Sequence, residues 1–348
     1  MPSGQIGTRA FERLFYKCGN LLAGPELPAT TLSGTHCFRN MFAECNSLIH
    51  SGPISAQNIT EGAAEYMFYN CTSLTAAPNL SPTNIGNYGM RWMFQNCNSL
   101  VSIPASFNPI TIGQQGLERA FYNCTSLVSI PASFSPITIG QQGLERVFYN
   151  TGITELNLEW SQLSSVGASG CLSAFSHCSS LSSITGSIGT SDMTFNNGSH
   201  NFQGCFQACT SLVDASNLTF NALTINGNTV FGRCFRDDSA LTAAPILSAT
   251  TLAYQCYNTM FRDCTSLLEA PYLPAQTPAQ QCYNHMFNGC TSLSSVHTEL
   301  TSWGENFQYG STASWLLNTA ANGTFTKPAA LSEEYGPDRI PNGWTVVD

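Results

Sequence analysis

A seven-residue motif, Phe-x-x-Cys-x-Ser-Leu, recurs along this chain and limits the folds that its 348 residues can adopt. Its final leucines stand 26 or 27 residues apart at positions 48, 74, 100 and 127, and again at 241, 267 and 293. Three degenerate copies, two of which carry Thr151 or Asp238 in place of the cysteine, bring the count to about eleven units. A period of this length predicts a solenoid, in which each unit buries its apolar face by stacking on its neighbours.

Each unit consists of two short arms joined by turns. In the first arm, Leu117, Ala120, Phe121 and Cys124 follow the i, i+3, i+4, i+7 spacing of one helical face. The second arm, such as 127–131, is short, apolar and closed by proline, which is typical of a brief strand in a parallel sheet. We therefore predict an α/β solenoid over residues 1–300, with one short helix and one short parallel strand in each repeat.

The last fifty residues depart from the repeat and hold three tryptophans, Trp303, Trp315 and Trp344. The end of a solenoid needs a cap that covers its final apolar layer. Residues 301–348 are therefore predicted to form a C-terminal cap, and an exposed sugar-stacking platform is the alternative role for the tryptophans.

Composition excludes several classes of partner. Charged residues make up only 9% of the chain and the formal net charge is −9. Nucleic acid is not an expected partner, because binding to phosphates needs clustered Lys and Arg. No stretch approaches the ~18 consecutive apolar residues of a membrane span. No basic or apolar leader is visible at the N-terminus, so we expect no signal peptide in this chain.

Fifteen cysteines suggest disulfides or a metal site, but their positions argue against both. All of them fall on the helical face that carries the repeated phenylalanines, where a free thiol packs as a small hydrophobe. Side chains stacked in one column point the same way, and Thr151 and Asp238 interrupt the column. We predict a reduced structural ladder and no metal site. The ladder consists of Cys45, Cys71, Cys97, Cys124, Cys178, Cys209, Cys264 and Cys290.

No catalytic constellation emerges from the remaining residues. The six histidines form no i, i+3 or i, i+4 pair, and phosphate-loop and nucleophile-elbow motifs are absent from the sequence. Asp237 and Asp238 lack the oxygen-rich spacing of a calcium loop and are interpreted as solvent-exposed charge. The pairs Glu118-Arg119 and Glu145-Arg146 are interpreted as one solvated face copied by duplication. We predict a protein that is not an enzyme and has no cofactor.

Insertions in the middle units are the first candidates for a binding site. They lie around residues 185–204 and 221–232, and insertions in repeat proteins often form the binding face. The residues that follow each repeat leucine are expected on an exposed strand face that is neutral with small apolar patches. The candidate ligand-binding residues are Asn196, Asn197, Ser199, His200, Asn201, Asn226, Asn228, Asp214 and Glu269.

The repeats resemble those of the BspA-like leucine-rich-repeat family, in the long-repeat variant of gut Bacteroidales and their phages. The resemblance rests on the Met/Ala-Phe-x-x-Cys-Thr-Ser-Leu core, on segments 27–32 and 247–257, and on the tail segment 340–346. It covers residues 11–348 and implies a leucine-rich-repeat fold. It also implies an association with adhesion and host contact, without a shared enzymatic activity.

Together these observations predict a recognition or adhesion module that binds a cell-surface protein or glycan on a phage fibre or virion appendage. A bacterial cell-surface adhesin fragment is the alternative. A structural virion decoration or spacer, with other virion proteins as its partners, is a further one. The expected location is the virion or the extracellular surface of a cell.

Overall fold

The structure, a computed structural model, describes residues 6–28, 32, 34–196, 198–304 and 310–348. Contacts divide the chain into two compact units, Met1–Leu156 with Ala174–Cys178, and Asn157–Ser173 with Ser179–Asp348. We refer to them as unit 1 and unit 2, and each is a stack of coils. The strands are β1 (Ala23–Gly24), β2 (His50–Ser51), β3 (Asn58–Ile59), β4 (Asn84–Ile85), β5 (Thr111–Ile112), β6 (Thr138–Ile139), β7 (Glu155–Trp160), β8 (Ser165–Val166), β9 (Ser183–Ile188), β10 (Thr194–Phe195), β11 (Asp214–Phe220), β12 (Ile246–Leu247), β13 (Ser295–His297), β14 (Thr324–Thr326) and β15 (Thr345–Val347).

The predicted α/β class is wrong, because no helix forms anywhere in the described ranges. The arms that were expected to be helices are instead ribbons of overlapping β-turns, each of which ends at the cysteine position of its repeat. We call each of these segments a turn ribbon and the cysteine positions the column. The protein is a parallel β-solenoid, so the solenoid part of the prediction holds while its helical layer does not.

Backbone hydrogen bonds in a turn ribbon alternate between two kinds of partner. In the ribbon 62–71, the N–H groups of Ala63, Glu65, Met67, Tyr69 and Cys71 donate to the carbonyl three residues earlier, which closes a series of β-turns. The intervening N–H groups donate to carbonyls of the next coil, as Phe68 does to Met93 at 2.8 Å. Half of the donors are therefore satisfied locally and half by the neighbouring coil.

The helix prediction failed because the ribbon buries side chains at the same spacing as a helix. Every fourth residue has a left-handed backbone, with φ of 59° at Gly62, 57° at Tyr66 and 58° at Asn70. The side chains that face the core then recur at i, i+3, i+4 and i+7, as Ala64, Met67, Phe68 and Cys71 do. A left-handed residue other than glycine costs about 1–2 kcal/mol, and the hydrogen bonds to the next coil offset this cost.

Proline decides where the strands lie. In unit 1, the predicted arms that close with a proline form only the two-residue strands β1 and β2 and an isolated bridge, Ala76 with Ser102. The proline that follows each of these arms has no N–H to donate. The parallel strands β3, β4, β5 and β6 lie instead in the segments predicted to be turns. In unit 2, the proline-free arms form the longer strands β9 and β11, which pair in parallel where the prediction put a strand.

The repeated phenylalanines stack face to face through each unit. In unit 1, successive rings from Phe15 to Phe175 lie with centroids 5.2 or 5.3 Å apart. In unit 2, the rings from Phe206 to Phe287 lie 5.2 to 5.6 Å apart. These distances are slightly greater than the ~4.8 Å between hydrogen-bonded strands, so the rings stay in contact from coil to coil.

The column cysteines lie beside this stack as free thiols, and all but Cys18 are buried. Their thiols do more than fill space, because seven of them donate to the carbonyl of the phenylalanine in the preceding coil. Cys71 Sγ lies 3.1 Å from the Phe42 oxygen, and Cys290 Sγ lies 3.0 Å from the Phe261 oxygen. Burial raises the pKa of the Cys178 thiol to about 11 and that of the Cys290 thiol to about 12. The exposure of Cys18 differs from the prediction that all fifteen lie on a buried face.

Two residues replace cysteine in the column, and they fit differently. The Thr151 hydroxyl donates at 3.0 Å to the Phe148 carbonyl of its own turn ribbon and lies 3.2 Å from Cys178 Sγ in the next coil, so it is satisfied in the column. Asp238, which was predicted to be solvent-exposed, is fully buried. Its Oδ1 accepts from the Cys209 N–H at 2.7 Å, whereas its Oδ2 has no hydrogen-bond partner among the described residues. Burial raises the pKa of this carboxyl well above its usual value.

The C-terminal tryptophans are buried, which does not fit the alternative of an exposed sugar-stacking platform. Trp303, Trp315 and Trp344 are at most 3% exposed. Their indole N–H groups donate to the carbonyls of Ser332, Arg339 and Ala320, each at 2.9 Å. Strands β13, β14 and β15 pair in parallel and continue the stack of unit 2 into this segment. The boundary at residue 301 stays a prediction.

Glycine at a left-handed position should stabilise a turn ribbon. Ala208 has φ of 60° and is half-buried, so we expect Ala208→Gly to raise the free energy of unfolding by up to about 1 kcal/mol. Ala279 is also half-buried, but its backbone lies outside the left-handed region. Ala279→Gly should therefore lower the free energy of unfolding by about 0.5–1 kcal/mol. Urea denaturation measures both. Destabilisation by both variants would favour a helix over the turn ribbon.

Thiol labelling should distinguish one cysteine from all the others. At pH 8, a maleimide should modify only Cys18 in the folded protein, because burial keeps the other thiols covered and protonated. All fifteen should react in denaturant, and Cys18→Ser should abolish the signal of the folded protein. Rapid labelling of several thiols without denaturant, or fewer than fifteen after unfolding, would contradict the buried, reduced ladder.

Replacing Asp238 with cysteine, the usual residue of the column, should stabilise the protein in a pH-dependent way. The folded pKa of Asp238 is raised, so its contribution to stability is present below the unfolded pKa of ~3.9 and is lost as pH rises through the folded value. The free energy of unfolding of Asp238→Cys should therefore be about 1–3 kcal/mol higher than that of the wild type near neutral pH. The difference should be smaller near pH 4. Thermal melts across pH test this.

A matched control is Asp263→Asn, which removes the charge of a half-buried carboxyl that pairs with Arg262 in the next coil. It should change stability little and without the same pH dependence. If Asp238→Cys gives equal gains at pH 4 and pH 7, the buried carboxyl is not their source.

Candidate functional site

The residues that follow the repeat leucines form a hydrogen-bonded row on the surface of each unit. In unit 1, Ile49 donates to the Leu22 carbonyl at 3.0 Å, Thr75 to Ile49 at 3.2 Å, and Val101 to Thr75 at 2.9 Å. Val213 in unit 2 donates in the same way to Ser182 at 2.9 Å. We call these positions the post-leucine row. Because the backbones of Leu22, Ile49, Thr75 and Val101 are bonded in series, their side chains project from a rigid support.

Large apolar side chains in this row are open to solvent, as the sequence predicted. Val101 is 48% exposed and Val128 is 46% exposed, and Leu268 in unit 2 is 53% exposed. Leu22 and Ile49 extend the row in unit 1 with exposures of 59% and 45%. Apolar groups at this density on one hydrogen-bonded face mark a surface that can bury area against a partner.

The candidate residues from the insertions divide into surface and interior positions. Ser199 and Asn228 form a parallel bridge between neighbouring coils, and the His200 N–H donates to the Asn228 carbonyl at 3.0 Å. Asn196, Asn226 and Asn228 are exposed. The structure therefore brings Ser199, His200 and Asn228 together at the start of two adjacent turn ribbons.

Asn201 has a structural environment instead. It is fully buried, and its amide nitrogen donates to the carbonyls of Val166 at 2.9 Å and Gly167 at 2.8 Å. Asn197 lies outside the described residues. The remaining candidates lie elsewhere in unit 2. The half-buried Asp214 accepts from the Ser216 N–H at 2.8 Å. The exposed Glu269 forms a parallel β-bridge with Ser295 through its backbone. Their predicted role in binding stays a prediction.

A polar notch in unit 2 includes one of these candidates, His200, and was otherwise missed by the sequence analysis. It has a volume of about 230 Å³. Each lining side chain is polar and none is acidic, and only Arg233 carries a permanent charge. The lining residues are His200, Gln203, Thr229, Arg233, Gln255, Asn258 and Thr259. The signal in the sequence is a single residue, Gly232, which stands where the neighbouring coils carry Gln203 and Asn258.

The acidic residues of the unit 1 turn ribbons form a structural network rather than the solvated face that was predicted. Glu65 is 2% exposed and lies between Arg39, whose Nε is 2.9 Å away, and Arg91. Glu118 and Glu145 are each 6% exposed. Burial raises the pKa of Glu118, whose carboxylate accepts from the Trp92 indole at 3.3 Å. These carboxylates are engaged by neighbouring side chains.

Asparagines extend this network along the left-handed positions next to the column. The amides of Asn70, Asn96, Asn123 and Asn150 are joined in series, each nitrogen donating to the preceding oxygen at 2.9 to 3.1 Å. Asparagine tolerates the left-handed backbone better than most residues. The sequence signal is an asparagine directly before the column residue in four successive units, and the ladder supports the fold.

The described residues offer no candidate for a metal site or a membrane span. No group of three or more His, Cys, Asp and Glu side chains is arranged to hold a metal ion there. Within the same ranges, no helix is long and apolar enough to cross a membrane.

Comparisons with known proteins agree with the repeat pattern. A family model described as BspA type leucine rich repeat region matches residues 8–118 and 83–267 in six copies. A leucine-rich repeat protein from Bacteroides ovatus is similar over 99% of this chain and 87% of its own, with 16% identity and a TM-score of 0.44. A leucine rich cell surface protein from Faecalibacterium prausnitzii is similar over 85% and 83%, with 18% identity and a TM-score of 0.38. A comparison with curated proteins found no match.

Proposed function

Because the chain belongs to the family of BspA-type leucine-rich repeat proteins, we propose that it is a non-enzymatic recognition module that binds a protein on a cell surface. The observation that carries this proposal is the post-leucine row, where exposed apolar side chains stand on a backbone that is hydrogen-bonded from coil to coil. A rigid row loses little conformational entropy on binding, so more of the buried area contributes to affinity.

The chemistry of the row favours a protein partner over a glycan. Val101 and Val128 offer methyl groups, which gain by removal from water but cannot bond to sugar hydroxyls. A partner surface with exposed aliphatic or aromatic side chains would complement them. Within this proposal, the chain serves as the host-contact part of a phage fibre or virion appendage. A bacterial adhesin or a virion spacer protein would use the same row.

Charge in the row should weaken binding to cells. We expect the labelled protein to bind intact gut Bacteroidales cells saturably, and Val101→Glu with Val128→Glu to weaken this binding at least tenfold. The reason is that each carboxylate must be desolvated in a contact that offers it no partner. Both valines are exposed, so the double variant should fold normally, which a thermal melt checks.

Val347→Glu is a matched control, because Val347 is a strand valine with 44% exposure that lies in β15, outside the row. It should bind as the wild type does. Absence of saturable binding to any cell would overturn the proposal, and so would equal binding by the double variant.

A further inference from the structure

We propose that the notch around Gly232 binds a sugar residue that carries a single anionic group, with Arg233 holding the anion. This site is separate from the post-leucine row on which the proposed function rests, so either can fail without the other. All of its lining residues belong to unit 2.

The notch exists because one side chain is missing from a row of side chains. The neighbouring coils place Gln203 and Asn258 at the position that Gly232 occupies, six residues before the column. A Cβ added to Gly232 would lie 2.6 Å from Thr229 Cγ2, so a larger residue would fill the notch or displace its wall. Gln203, Thr229 and Asn258 therefore surround an opening. A glutamine or asparagine in place of Gly232, as in the neighbouring coils, would close it.

Arg233 supplies a positive charge that the protein does not neutralise. Among the described residues, only Arg233 and Arg13 are arginines without a carboxylate within ion-pair distance. Arg233 is exposed and lines the notch, and none of the other lining residues is acidic. Its planar guanidinium can donate two parallel hydrogen bonds to a carboxylate or to a sulfate. In a protein with a net charge of −9, this is a local site for an anion.

The neutral side chains indicate what carries the anion. Gln203, Gln255 and Asn258 each offer an amide donor and an amide acceptor, and Thr229 and Thr259 offer hydroxyls. Sugar hydroxyls are also both donors and acceptors, so they match these groups in pairs. An isolated carboxylate of a protein partner only accepts, and it would leave the amide oxygens of the notch unmatched.

The size of the notch agrees with a single sugar ring. Its volume of about 230 Å³ is below the ~300–1,000 Å³ of sites for drug-sized ligands. A larger groove of about 530 Å³ lies in the same unit but is lined by threonine, proline, leucine and glutamine, without a charged residue. The notch is therefore the better-defined site for an anionic ligand.

Titration of the full chain with a galacturonate trisaccharide, its methyl ester and a sulfated neutral trisaccharide tests the proposal. Isothermal calorimetry should show binding of the acid that falls at least tenfold on methyl esterification, because the ester has no charge for Arg233. Binding of the sulfated sugar as well would support a site for either anion, and its absence would assign the site to carboxylates. Equal affinity for the acid and its ester would overturn the proposal.

Variants localise the binding. Arg233→Gln should reduce affinity for the acid at least tenfold, and Arg233→Lys should reduce it less, because the charge remains without the planar fork. Arg13→Gln is the matched control, since Arg13 is an exposed, unpaired arginine at the same repeat position in unit 1. Gly232→Gln should abolish binding by filling the notch. Wild-type affinity in Arg233→Gln would overturn the proposal even if Gly232→Gln fails to fold.

Two cross-measurements separate this site from the proposed function. The variant with Val101→Glu and Val128→Glu should bind the galacturonate trisaccharide as the wild type does. An acidic peptide such as tetra-glutamate should not compete with the trisaccharide. Full competition by the peptide would indicate that the notch recognises a carboxylate of a protein and not a sugar, and it would overturn the proposal.

Discussion

The hydrogen bond from every second N–H group of a turn ribbon to the next coil is the interaction on which this structure depends. It supplies acceptors for donors that an isolated ribbon would leave unsatisfied, as Phe42 donates to Met67 and Phe68 to Met93. It also sets the distance between coils, and so brings the phenylalanine rings into contact and the thiols within reach of the preceding coil. Without its neighbours, a single repeat would have neither a paired backbone nor a closed core.

This dependence explains which replacements the column accepts. A cysteine at the column donates to a carbonyl of the preceding coil. Threonine is accepted because its hydroxyl also finds an acceptor, although Thr151 donates to Phe148 of its own turn ribbon. Asp238 brings a second acceptor to a position where the backbone offers carbonyls, so one of its oxygens is left without a partner among the described residues. The column therefore selects for a small side chain that donates, which is a narrower requirement than apolarity.

The outward positions are free of this requirement and carry the surfaces for binding. The post-leucine row can hold Thr75 or Val101 on the same backbone, because its side chains point to solvent and only its main chain bonds between coils. In the turn ribbon, the loss of one side chain at Gly232 opens a notch without disturbing the buried columns beneath it. Such a scaffold can change its ligand by exchanging exposed residues while the core repeats unchanged.

From the amino-acid sequence we could predict the period, the buried columns of phenylalanine and cysteine, and the exposed positions after each leucine. These follow from the spacing of apolar residues, which is a local property. This spacing does not show whether the first arm is a helix, because a helix and a turn ribbon bury the same positions. Only the acceptors on the next coil decide between them. Strands β3 to β6 of unit 1 lie in the predicted turns for a similar reason, since prolines such as Pro78 remove a donor from the expected arm. The notch depends on Gln203, Gly232 and Asn258 standing side by side in three coils, and residues this far apart in sequence become neighbours only when the coils stack.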